Sequence, residues 1–121
     1  MTTKILCDIN DKINFNISGQ SQSADISDLS NPDNIKRIYR IQFSKEPSRQ
    51  FLSAAVNIIS NNPTIPLRFY GDYSEDKIDW DSLQPIKKLQ VDLWQTTKLQ
   101  EISKLTGLTQ LGISKNVKSS V

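Results

Sequence analysis

Leu67, Leu89 and Leu111 stand 22 residues apart, and each is followed two positions later by a second large apolar residue, Phe69, Val91 and Ile113. An apolar-x-apolar run has strand periodicity, with its two large side chains pointing to one side. So short a unit buries nothing alone. A fixed interval between such units makes sense if they stack and lay their strands side by side, so that each covers its neighbour. The intervals repeat as well as the strands. Offsets of 13, 16 and 19 residues carry Trp80, Leu83 and Ile86 after Leu67, and Ile102, Leu105 and Leu108 after Leu89. Leu67, Leu89 and Leu111 are thus expected to form one core column, and Phe69, Val91 and Ile113 the next.

The pattern continues toward the N-terminus with a longer step. Ile41 and Phe43 form the same run, with Ile38 three residues before and Leu67 26 residues after Ile41. The extra length falls in "EPSRQFLSAAVNIISNNP", which predicts a helix. Pro47 suits its first turn, Phe51, Leu52, Ala55, Val56 and Ile59 make an apolar face, and Asn61, Asn62 and Pro63 end it. A further step of 26 reaches Phe15, flanked by Ile13 and Ile17, so "INFNISG" is expected as the first strand, closed by Gly19. The polar stretch "GQSQSADISDLSNPDN" reads as a loop with apolar anchors at Ile26 and Leu29.

The segment "GLTQLGISKN" places Leu108, Leu111, Ile113 and Asn116 in the order L-x-x-L-x-L-x-x-N. With the 22-residue period, this resembles a leucine-rich repeat protein of bacterial style. The resemblance implies an α/β solenoid, with a short parallel sheet on the concave face and helices and turns on the convex face. It implies an N-terminal capping segment over residues 1–37 and repeats over 38–121, the last incomplete or uncapped. The chain departs from the family at the ninth motif position, where Glu46, Asp72 and Trp94 stand in place of Asn. The ladder by which that Asn satisfies backbone groups is therefore incomplete. A small α+β domain with another strand order is the competing fold.

Composition narrows the functions. The 121 residues allow one domain with a small core, since only 36% are hydrophobic. A net charge of +2 gives no push toward nucleic acid or an anionic membrane, although residues 87–121 carry six lysines against Asp92 and Glu101. Cys7 is the single cysteine and there is no histidine. That excludes an internal disulfide, zinc sites built on Cys and His, and nucleophile arrangements that need His. "GDYSEDKIDWD" is the most acidic stretch but lacks the alternating order of a calcium loop, so it reads as a solvated loop. No catalytic, metal or cofactor site is expected. No run approaches the length of a membrane span, and with Met1 taken as the native start the expected location is cytoplasmic.

The functional reading comes from strand alternation. Between the core positions lie Arg40, Gln42 and Ser44; Arg68 and Tyr70; Lys88, Gln90 and Asp92; Gln110, Gly112 and Ser114. These side chains face outward, in one row of Gln42, Arg68, Gln90 and Gly112 and a second of Ser44, Tyr70, Asp92 and Ser114. Trp80 matches a core offset, whereas Trp94 is a candidate anchor for a partner. Arg and Tyr are favoured at protein interfaces. The candidate protein-binding residues are therefore Arg40, Gln42, Arg68, Tyr70, Gln90, Asp92 and Trp94. The chain is expected to be a non-enzymatic module that binds a protein, with no nucleic-acid or membrane partner. The rival reading is a self-assembly unit, a homodimer through the terminal repeat, because "KNVKSSV" supplies nothing to cover the last strand.

Overall fold

A computed structural model of the chain describes residues 3–71, 78–93 and 105–113. Among these residues the alternating runs form the strands β1 (Ile5–Ile9), β2 (Ile13–Ile17), β3 (Gln20–Ala24), β4 (Ile38–Phe43), β5 (Leu67–Gly71), β6 (Lys88–Leu93) and β7 (Gln110–Ile113). They lie in one mixed seven-stranded sheet in the order β3-β2-β1-β4-β5-β6-β7. Among the described residues there are also two α-helices, α1 (Pro32–Arg37) and α2 (Arg49–Asn61), and two 3-10 turns at Ile26–Ser30 and Trp80–Leu83.

The apolar-x-apolar runs set the register. Cys7 pairs with Ile41, Ile41 with Leu67, Leu67 with Leu89 and Leu89 with Leu111, all between parallel strands. The next column runs Ile9, Phe43, Phe69, Val91 and Ile113. From Cys7 to Leu89 and from Ile9 to Val91 every member of both columns is buried. The Phe43 and Phe69 rings stack with centroids 5.8 Å apart, and Trp80 tilts against Phe69 at 6.1 Å. Trp80 is buried as its offset predicts, with Leu83 and Ile86, and Leu105 takes the matching offset one unit later.

The helix after β4 begins two residues later than its Pro suggests. Ser48, not Pro47, caps α2, and its Oγ accepts from the Phe51 N–H at 3.2 Å. Pro47 therefore lies outside the first turn. At the other end the side-chain amides of Asn61 and Asn62 donate back to the carbonyls of Asn57 and Ile58. Leu52, Ala55, Ile58 and Ile59 face the sheet, while Phe51 and Val56 are only partly covered. The buried residues of α2 and of both 3-10 turns join the same core cluster, which places them on one side of the sheet.

The first 37 residues depart from the expected loop and single strand. The strand beside β4 is β1, and the Phe15 strand is the next one out, running antiparallel. Ile5, Cys7 and Ile9 alternate as well as Ile13, Phe15 and Ile17 do, because a buried thiol packs as a small hydrophobe. The polar stretch is ordered too. Ser18 and Gly19 both adopt positive φ, 52° and 82°, and close a two-residue turn from β2 into β3. Asp25 then forms a reciprocal capping box with Asp28, and Asn31 caps α1 with Pro32 in its first turn.

Leu111 is a second departure. It keeps its register with Leu89 but is 41% exposed. Among the described residues β7 is the last strand in the sheet order, so the described strand beside Leu111 is β6 alone. Leu99, Ile102, Trp94 and Asn116 lie outside the described residues, as does most of the acidic stretch after Gly71. Of that stretch, Ile78 is buried and Asp79 caps the 3-10 turn at Trp80–Leu83, so its end is packed structure and not a solvated loop. Among the described residues no helix is long and apolar enough to cross a membrane.

Candidate functional site

Strand alternation that buries one side chain of each pair sends the other to the opposite face. On that face the register joins Ser23, Asn14, Asp8, Gln42, Arg68, Gln90 and Gly112 into one row across all seven strands. The expected row of Gln42, Arg68, Gln90 and Gly112 is its right-hand part. A second row links Ser21, Asn16, Leu6 and Arg40, and Lys88 pairs with Gln110 on the outer strands. Tyr70 pairs with Asp92 one level above Arg68 and Gln90. Six of the seven candidate residues thus occupy neighbouring positions, while Trp94 lies outside the described residues.

Two contacts fix polar groups on this face. The Gln42 Nε2 donates to Asp8 Oδ1 at 2.9 Å, which ties the β4 amide to the β1 carboxylate. The Arg68 guanidinium carbon lies 4.5 Å from the centre of the Tyr70 ring, two residues along the same strand. That separation is within cation–π range and places the charge over the ring face. Arg40 is in a different state. Its Nε is buried and has no hydrogen-bond partner among the described residues. Leaving such a donor dry costs roughly 1–3 kcal/mol.

A bulge shapes the entry to β4. Ile38 pairs with Ile5 and Arg40 with Leu6, so Tyr39 is the extra residue. It stands 44% exposed beside Arg40. Bulges re-aim side chains in this way.

Sequence reasoning missed the left half of this face: Asp8, Leu6, Asn14, Asn16, Ser21 and Ser23. The signal was present in Ile5, Cys7 and Ile9, whose alternation makes Leu6 and Asp8 outward residues. It also missed Tyr39, because the register shift that turns it out is a property of the paired strands.

On the opposite side, Cys7 is sealed under the sheet. Burial, and then the charge of Asp8, push its thiol pKa up to about 12. A thiol so placed is an inert core residue and not a nucleophile. A groove between α2 and the Trp80–Leu83 turn is lined by Leu52, Val56, Ile78, Arg49 and Asp79. The Ser82 hydroxyl donates to Asp79 at 2.7 Å and, with the backbone bonds of the turn and the charge of Arg49, keeps that carboxyl below its ordinary range. Asp79 therefore serves the cap. Among the described residues no cluster of three or more Cys, Asp or Glu could hold a metal.

The class these features define is a mixed α/β chain with one helix-covered face and one polar face. Comparison with models of known families, with curated proteins and with solved structures finds no match.

Proposed function

We propose that the chain is a non-enzymatic binding module of leucine-rich repeat type, and that it holds a protein on the polar face of β4, β5 and β6. The 22-residue period supports the repeat assignment, because it coincides with the parallel register of Leu67, Leu89 and Leu111. Residues 1–37 serve in this reading as the N-terminal capping unit, and the repeats follow from 38 onward. The observation that carries the binding role is the row Asp8, Gln42, Arg68 and Gln90, with Arg68 stacked on Tyr70. Arg and Tyr on a rigid sheet supply contact area at low entropic cost.

The test is capture from an extract of the source cells by the immobilised chain. Changing Arg68 and Tyr70 together to Ala abolishes recovery of a protein that the unchanged chain retains, with the circular dichroism spectrum preserved. Undiminished recovery by the folded double variant refutes the assignment.

A second reading is favoured by one observation, the 41% exposure of Leu111 on the outermost strand. Two copies meeting across β7 would cover it. Molecular mass by light scattering over a wide concentration range tests this: a rise to twice the monomer mass supports it, and a constant monomer mass removes it.

A further inference from the structure

We infer that the partner segment held on the polar face is acidic, and that Arg40, Arg68 and Lys88 form the site that recognises its carboxylates. The inference rests on the reading of this face as the binding surface and adds the chemistry of what it takes.

The three cations come from three adjacent parallel strands, β4, β5 and β6. Arg68 pairs with Gln42, two residues beyond Arg40, and with Gln90, two residues beyond Lys88. Arg40 and Lys88 are therefore level with one another, and Arg68 sits one step higher between them. Strand spacing puts the backbones of Arg40 and Lys88 about 10 Å apart, and each lies about 7–8 Å from that of Arg68 on the diagonal. Between Arg40 and Lys88 comes Pro66, whose carbonyl receives the Ile41 N–H at 3.1 Å.

Asp8 stands on β1 at the margin of the patch and is already engaged by Gln42. A cationic patch of this size, bounded by an acid on the β1 side, matches a short run of Asp or Glu. The phosphate chain of a nucleic acid crossing the strands would extend past the patch into that acid. Arg40 adds a particular reason for an acceptor. Its Nε forgoes a hydrogen bond in the free protein, so a carboxylate that draws the guanidinium out supplies a missing bond and does not replace an existing one. The planar fork of Arg suits two-point contact with a carboxylate. Tyr39 and Tyr70 flank the patch and give it aromatic contact.

The experiment uses the full chain and a ten-residue oligoglutamate peptide, with oligoglutamine and a single-stranded oligonucleotide of equal charge as alternatives. Binding is read by calorimetry or by fluorescence of a labelled peptide. Oligoglutamate is expected to bind, oligoglutamine not to bind, and the oligonucleotide to bind at least about tenfold more weakly. Arg40→Gln and Lys88→Glu are each expected to weaken oligoglutamate binding about tenfold or more. Lys36→Glu, on α1, makes the same change in net charge as Lys88→Glu and is expected to change affinity less than about twofold. Circular dichroism confirms that each variant folds. Equal losses in all the charge variants would reduce the effect to bulk charge and overturn the site. No binding of oligoglutamate, or tighter binding of the oligonucleotide, would also overturn it. These failures leave the binding reading intact if the Arg68 and Tyr70 double variant still loses its captured protein. Retained capture by that variant removes the binding reading itself.

Discussion

The two faces of β5 differ at every step along five residues. Leu67, Phe69 and Gly71 are buried, while Arg68 and Tyr70 stand half-buried on the other side. One face packs against α2 and the two 3-10 turns, and the other carries a row of amides and charges in register across the sheet. Neighbouring residues on one strand therefore do different work. The buried set determines whether the chain folds, and the outward set forms the polar face on which binding is proposed. Because a strand alternates strictly, the two roles are separated by a single position and are open to separate attack.

The hardest blow to the buried face is Phe69→Ala. Phe69 stacks on Phe43 and touches Trp80, so its loss opens a cavity between the sheet and the turn. A destabilisation of about 3–5 kcal/mol is expected, read from urea denaturation. Leu89→Ala, buried in the adjacent column, is expected to cost roughly 2–5 kcal/mol by the same measurement. A small effect at both sites would mean that the columns do not form the core.

Cys7 sharpens the comparison by pH. Its folded pKa, raised to about 12, lies above that of the unfolded chain, so only the unfolded state releases the proton readily. The contribution is whole below about pH 9, is eroded as pH rises above that value, and has run its course near the folded pKa. By pH 10 the loss is on the order of 1 kcal/mol. Comparing the alkaline dependence of stability with that of Cys7→Ala isolates it. Identical slopes between pH 8 and pH 10 would show that the thiol is not sealed under β1. The smallest effect belongs to the outward face. Gln90→Ala, next to Leu89, is expected to change stability by less than about 0.5 kcal/mol. A loss comparable to that of Leu89→Ala would contradict the strand register.

Leu67, Leu89 and Leu111 stand in the register that their spacing predicts, because a column of neighbours on parallel strands leaves an equal interval in the chain. The right-hand part of the polar row follows directly from it. Residues 1–37 were less legible for three physical reasons. Antiparallel hairpins leave no fixed interval, so the step of 26 to Phe15 pointed to a strand one place too far out. Cys7 does not advertise itself as a core residue, although burial treats it as one. The Ser18-Gly19 turn and the caps at Asp25 and Asn31 are made from the residues that also fill solvated loops, and "GQSQSADISDLSNPDN" reads the same either way until it is folded. Leu111 shows the converse limit. Spacing gives its column but not its exposure, which depends on what lies beyond the last strand.

Backbone amide chemical-shift mapping of the isotopically labelled chain, with and without the protein it captures, locates the binding face. The amides of Gln42, Arg68, Tyr70 and Gln90 are expected to shift on binding while those of α2 from Leu52 to Ile59 stay in place. Shifts concentrated in α2 and the Trp80–Leu83 turn, with the strands unchanged, would place the partner on the helix side and contradict the proposal.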